Sequence, residues 1–264
     1  MKKVCLLIID PQFDFCDPTG KLFVPGADLD MVRLGKFIEK NYMRLDDIQL
    51  TLDSHHRVHI AHAISWLDEH GKHPAPYTVI TAADVDAGKY KATYPAFQDK
   101  YVNYVHQLEA NGRYVLCIWP EHCLIGSVGA TIYNPIFEAV TIWEGQYAQA
   151  GKTTKGSNLF TEHYSAVKAD VIDNTDVYTK LNTKLTGILK TYDDILVGGE
   201  ARNFCLANTV KDISEEFGDD NVKKLIILED ATSPVQGNDA LNTQFTEFCN
   251  NKHIRFSTTK DYKF

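Results

Sequence analysis

Cys205 is the residue best placed for covalent chemistry, in residues 195–210, ILVGGEARNFCLANTV. A short apolar run breaks at Gly198-Gly199, and Cys205 then opens a helix-like stretch. A thiol at such a strand-to-helix junction meets free N–H groups and the positive end of a helix dipole, which favour a nucleophilic thiolate. The alternative is a structural cysteine, since cysteine is among the most buried residue types. A thiol nucleophile needs a base. Asp10, which ends the apolar run KVCLLIID, is an acid whose burial costs solvation unless it is paired; the other reading is a turn aspartate before Pro11. Lys155, in KGSNLFTEHYSA, would hold a nearby thiolate by charge, or is an ordinary surface lysine. A second group is Asp53, His55, His56, His59 and His62, with four of the ten histidines in one short stretch. Carboxylate and imidazole together suit Zn, Mn or Fe(II), whereas a histidine-rich surface loop is the plain alternative. His122, in WPEHC, is a further candidate ligand.

The elements that position these groups read as α/β. Residues 3–10 form a continuous apolar run, as in a strand buried on both faces. Further strands are expected at Ile48, Leu50 and Leu52, ending at Asp53, and at residues 139–143, 195–197, 224–228 and 254–256. Helical periodicity appears at Leu34, Phe37 and Ile38 after the cap candidates Asp28 and Asp30. It recurs at Tyr101, Tyr104, Val105 and Leu108 before Gly112, and at Leu181, Leu185, Ile188 and Leu189. Residues 205–217 and Leu241, Phe245 and Phe248 complete the helices. Residues 57–94 are irregular and read as an insertion. The alternation predicts one three-layer α/β/α domain over residues 1–264, with a six-stranded, mostly parallel, doubly wound sheet in Rossmann-like order. In such sheets ligands bind beyond the strand carboxyl ends, where strand order reverses. If the first and fourth strands flank that point, Asp10 and Cys205 face each other across the crevice.

The chain of 264 residues is 44% hydrophobic with a formal charge of -8, and the sequence shows no basic stripe. Nucleic acid and anionic membranes are therefore not expected partners. No apolar run is long enough to span a bilayer, and no signal peptide is evident. Six cysteines without framework spacing lead us to expect a reducing cytoplasm. Oligomeric state is left open, including a homo-oligomer.

Taken in order, IIDPQFDF, LDSHH, WPEHC, KGSNLFTEHYSA and GGEARNFCLANT span nearly the whole chain. Together they resemble the isochorismatase-like cysteine hydrolases, and more closely their nicotinamidase branch. The resemblance implies a triad in which Asp10 takes the thiol proton, Lys155 holds the charged pair and Cys205 attacks an amide carbonyl. It implies an oxyanion hole from the N–H groups of Ala201 and Cys205, with a cis Glu200-Ala201 peptide bond. It also implies one divalent metal ion, Zn first and Mn or Fe otherwise, on Asp53, His55 and His122. Phe15, Trp119 and Tyr164 would sandwich a pyridine ring, with Gln12 as a polar neighbour near the ion. The family's further histidine has no match at the usual spacing, so His59 and His62 compete for it. The stretch from Lys155 to Ser165 is longer than in compact members, and the insertion could reshape the pocket. The expected activity is hydrolysis of nicotinamide to nicotinate and ammonia through a Cys thioester, in pyridine-nucleotide salvage. The small-molecule substrate could instead be another small amide, ureido acid or imide. A vinyl-ether hydrolase, which needs no metal, and a non-catalytic binding scaffold are the remaining readings.

Overall fold

The computed structural model describes residues 2–146 and 148–264. Six strands form one all-parallel sheet: β1 (Val4–Ile9), β2 (Asp47–Asp53), β3 (Gly151–Lys155), β4 (Asp194–Gly199), β5 (Leu225–Leu228) and β6 (Arg255–Ser257). Their order is β3-β2-β1-β4-β5-β6, the Rossmann-type order expected. The central strands β1 and β4 are buried at every position, because helices cover both faces of a parallel sheet. These helices are α1 (Ala27–Asn41), α2 (Gln98–Ala110), α3 (Asn134–Glu144), α4 (Thr183–Lys190), α5 (Ala207–Val222) and α6 (Asp239–Asn251). Helix α1 packs against α3, and α4 against α5.

Strand order reverses between β1 and β4, which pair from Val4↔Asp194 to Ile9↔Gly199. The carboxyl ends of β1, β2, β3 and β4 therefore open onto one crevice. Register sets what meets there: Asp53 pairs with Lys155, and Asp10 follows β1 beside Thr51 of β2.

Three sequence expectations are corrected. Residues 139–143, read as a strand from their β-branched run, lie in α3. There Ile136, Ala139, Val140 and Trp143 make a buried helical stripe behind Pro135 in the first turn. The sixth strand is instead β3, GKTTK, a polar edge strand with no apolar run to announce it. Asp28 and Asp30 do not cap α1; they sit in its first turn behind Gly26, whose φ is 102°.

The insertion is more ordered than its composition suggested. Trp66–Asp68 pairs antiparallel with Tyr90–Ala92, and Val79–Ile80 with Leu116–Cys117. Strands of two or three residues are too short to carry a periodic signal. Trp66 is fully buried, donates from Nε1 to the Ile60 carbonyl at 2.6 Å, and packs on Tyr101 of α2. The insertion also holds the segment carrying Trp119 and His122. Trp119 N–H donates to the Ala61 carbonyl and Ile118 N–H to the Thr78 carbonyl, each at 2.8 Å.

The end of β4 requires glycine. Gly199 has φ 104°, and a Cβ there would fall onto the Ile9 backbone, its carbonyl carbon only 2.7 Å away. Gly199→Ala is expected to lower stability by about 2 kcal/mol or more, through a positive-φ and overpacking penalty at the central strand pair. Urea unfolding measures it, and an unchanged midpoint with an unchanged slope contradicts the close approach.

Candidate active site

Asp10 leaves β1 in the left-handed region, φ 41°, which aspartate tolerates better than most side chains. Its N–H donates to the Thr51 carbonyl at 3.1 Å, and the Thr51 hydroxyl donates to Asp10 Oδ1 at 2.5 Å. Its second oxygen faces Lys155, the last residue of β3. Lys155 Nζ lies 2.8 Å from Asp10 Oδ2, 3.2 Å from Asp53 Oδ1 and 3.5 Å from Cys205 Sγ. All four residues are buried. Cys205 sits in the π-helical turn Arg202–Leu206 that leads from β4 into α5. The loop before it is pinned: Arg202 N–H donates to the Ser233 carbonyl at 2.9 Å, and Ser233 N–H to Glu200 Oε2 at 3.0 Å. The Glu200-Ala201 peptide bond is cis.

The electrostatic influences on these four groups oppose one another. Burial pushes the Cys205 thiol well up; Lys155 works against this, but Asp10 and Asp53 add to it. The ammonium is shared between two carboxylates and the sulfur. Burial also raises Asp10, with Lys155 opposing, which suits a carboxylate that must accept a proton. Burial works to lower Lys155, yet Asp10, Asp53 and Cys205 outweigh it and hold it well above the ordinary lysine value. For Asp53, burial is outweighed by His55 and Lys155, and its carboxyl stays well below the usual range.

Asp53 links this centre to the histidines. Its Oδ2 lies 3.1 Å from His55 Nε2 and 3.3 Å from His122 Nε2. One ligand atom from each of Asp53, His55 and His122 lies within 4.8 Å of the others, and the same holds for His55, His59 and His62. Nδ1 of His55 and Nε2 of His62 are buried without a hydrogen-bond partner among the described residues. The outer nitrogens of two histidines face carbonyls: His122 Nδ1 is 2.8 Å from Pro120 O, and His62 Nδ1 is 3.0 Å from Arg57 O. That is how a protein orients metal-ligating imidazoles. His59 is different: Nε2 faces Thr161 O at 3.2 Å, and Nδ1 accepts the Ala61 N–H at 3.2 Å. His56 is exposed. The donor set thus fits a divalent ion on Asp53, His55 and His122, with His62 the free histidine of the competing pair. Gly156 leaves the room: a Cβ there would stand 2.7 Å from Asp53 Oδ1 and 2.8 Å from His55 Cε1.

A cavity of about 30 Å³ lies between Cys205 and these ligands, with Phe15, Trp119 and Tyr164 in its wall. Trp119 Nε1 donates to the Tyr164 hydroxyl at 2.8 Å, and Phe204 meets Trp119 edge-on at 5.2 Å. Ala201 lines it too. Gln12 does not line it. Its amide bridges the Asp53 backbone instead, donating to the carbonyl at 2.7 Å and accepting the N–H at 2.6 Å. It thereby fixes where the Asp53 carboxylate points. The sequence reading missed Glu162 and Phe204 in the wall, and His163, whose Nδ1 accepts the Gly156 N–H at 3.4 Å. Burial lowers His163 to about 3, and its Nε2 has no partner among the described residues. Their signal was adjacency: Glu162 and His163 precede Tyr164, and Phe204 precedes Cys205.

No protein-family model and no curated protein matches the sequence. Solved structures match over nearly its whole length. A nicotinamidase/pyrazinamidase of Acinetobacter baumanii is 21% identical with a TM-score of 0.66, covering 98% of each chain. A pyrazinamidase of Pyrococcus horikoshii in complex with zinc is 18% identical with a TM-score of 0.59, covering 97% of this chain and 99% of that one. An isochorismatase-like hydrolase of Alkaliphilus metalliredigens is 14% identical with a TM-score of 0.52, covering 98% and 96%. At this identity the likeness is one of fold: the chain has the isochorismatase-like hydrolase fold, in the form nicotinamidases share.

Removing the central ammonium leaves two buried carboxylates facing each other. Lys155→Met is expected to lower stability by about 3–5 kcal/mol, the cost of stripping one partner from a buried ion pair. Chemical unfolding at neutral pH is the measurement. A loss below about 1 kcal/mol, typical of exposed pairs, contradicts a buried charge centre.

Proposed function

We propose that this chain, whose fold and motifs resemble those of the nicotinamidases, is a metal-assisted cysteine amidohydrolase converting nicotinamide and water to nicotinate and ammonia. The observation carrying this reading is the single lysine within 3.5 Å of Asp10, Asp53 and Cys205 at the switch point of the sheet. Asp10 Oδ2 takes the proton from Cys205 Sγ, and the sulfur attacks the amide carbonyl carbon. The oxyanion points at the N–H groups of Ala201 and Cys205, whose electrostatic stabilisation is a large share of such catalysis. Asp10 then protonates the amide nitrogen as the C–N bond breaks, releasing ammonia and leaving a thioester. Water, deprotonated by the same carboxylate, cleaves the thioester to the acid. Lys155 keeps Asp10 available in its ionised form and steadies the thiolate as it forms.

Asp53, His55 and His122 would hold one divalent ion, Zn before Mn or Fe, with His62 rather than His59 completing the protein ligands. Such an ion supplies a directional anchor for a ring nitrogen, and Phe15, Trp119, Tyr164 and Phe204 supply flat apolar walls. A cavity of about 30 Å³ has roughly the volume of one water, so these walls part to admit a pyridine ring. The same volume supports a second reading, hydrolysis of a smaller amide or ureido acid by the same triad. Relative turnover of nicotinamide and a panel of carbamoyl compounds separates the two. In a reducing cytoplasm, where its six cysteines stay free, the reaction would serve pyridine-nucleotide salvage.

Ammonia release from nicotinamide is the direct test. Cys205→Ala is expected to abolish it, by about a thousandfold or more, and chelation to lower it, with metal content falling in His62→Ala but not in His59→Ala. Full activity in the cysteine variant sinks the proposal. The pH profile follows from Asp10. The base works ionised, so activity falls as pH drops through its raised pKa, and the acid limb of kcat/KM lies above the ordinary carboxylate value of about 4. A limb at or below that value would contradict Asp10 as the base.

A further inference from the structure

Helix α1 carries Arg33, Lys36 and Lys40 at helical spacing, and Arg44 continues the row in the turn that follows. The residues after β6 fold back beside this row. Thr259 donates from its N–H and hydroxyl to the Asp230 carboxylate at 2.7 and 2.6 Å, and the Tyr262 hydroxyl donates to Asp194 Oδ2 at 2.9 Å. Between helix and tail lies a groove of about 580 Å³. Six of the 27 Lys and Arg residues line it, and none of the 35 Asp and Glu residues does. In a chain of net charge -8 that segregation is local and steep. It corrects the sequence reading, which saw no basic stripe because the tail completes the patch only after folding.

The cations are free to take a ligand. Arg33 is held by Asp30 and the Asp230 carbonyl. Lys36, Lys40, Arg44, Lys260 and Lys263 form no ion pair among the described residues. Beside them is an aromatic platform: Phe264 stacks on Phe37 at 5.9 Å and 15°, Tyr262 meets Phe264 edge-on at 5.0 Å, and Arg44 lies over the Phe264 ring at 5.7 Å. None of these residues lines the catalytic cavity.

We propose that this groove is a second binding site, for a nucleoside polyphosphate. The phosphates lie among Lys36, Lys40 and Lys260 through charge-assisted hydrogen bonds, and the base lies against Phe264 and Tyr262. The volume is that of a small-molecule site. A nucleic-acid polymer fits less well, because beyond the groove it would run onto a surface of its own charge. This inference is independent of the proposed reaction.

Calorimetric titration of the full chain with ATP at low salt tests it. One-to-one saturable binding is expected, weakened about tenfold or more by the double variant Lys36→Glu/Lys40→Glu and less than about twofold by Lys91→Glu in the insertion. Phe264→Ala is expected to weaken ATP while leaving inorganic tripolyphosphate unchanged. The proposal is overturned by absence of saturation at about 1 mM ATP, or by equal losses in the groove and control variants. It is equally overturned if ATP and tripolyphosphate bind within about twofold of each other, which would make the groove a bare anion sink.

Discussion

A single buried ammonium holds the centre of this molecule together. Asp10 and Asp53 come from the ends of neighbouring strands and are both removed from water. Two ionised carboxylates in that setting are costly without a counter-charge. Lys155 supplies it from the next strand out, reaching past β2 to touch an oxygen of each and the sulfur of Cys205. Three strand ends and the turn before α5 are thereby bound to one atom. The chemistry assigned to Cys205 and Asp10 is possible only because that atom fixes their separation.

The surrounding details serve the same constraint. Gln12 clamps the Asp53 backbone from both sides, so one carboxylate oxygen faces the lysine while the other faces His55 and His122. Gly156 keeps the next position clear, and its φ of 85° turns the chain away at once. Formal charge at the core is two carboxylates against one ammonium, an excess of one negative charge. His55 and His62, each with a buried ring nitrogen that has no partner among the described residues, stand next to it. A divalent cation is the species such a combination draws. It would also offset the carboxylate repulsion that adds to burial in raising the Cys205 thiol.

Much of this was legible in the sequence. β1, β4 and β5 are apolar runs and β2 an alternating one, and the ordered motifs marked the residues that converge. The misreadings have physical causes. Residues 139–143 are rich in β-branched residues, but their burial follows the helical period set by Ile136 and Trp143. β3 needs few apolar side chains because it lies at the sheet edge, so GKTTK left no trace. His59 and His62 each turn one ring nitrogen to a carbonyl and differ in the other, which accepts the Ala61 N–H in His59 and has no partner among the described residues in His62, a difference that spacing does not encode. Glu162 and Phe204 went unnoticed beside more conspicuous neighbours. That Lys155 is shared among Asp10, Asp53 and Cys205 follows from strand register, which the spacing of the motifs does not encode.

The edge position of β3 has its own consequence. Every other strand that contributes to the crevice is flanked on both sides, but β3 is bonded to β2 alone. Opening free energies within a protein are lowest where backbone hydrogen bonds lie at a margin. Fraying of that margin carries Lys155 away while β1, β2 and β4 stay assembled. Inactivation on gentle heating would then precede loss of secondary structure, and the catalyst would disarm through its outermost strand while its core endured.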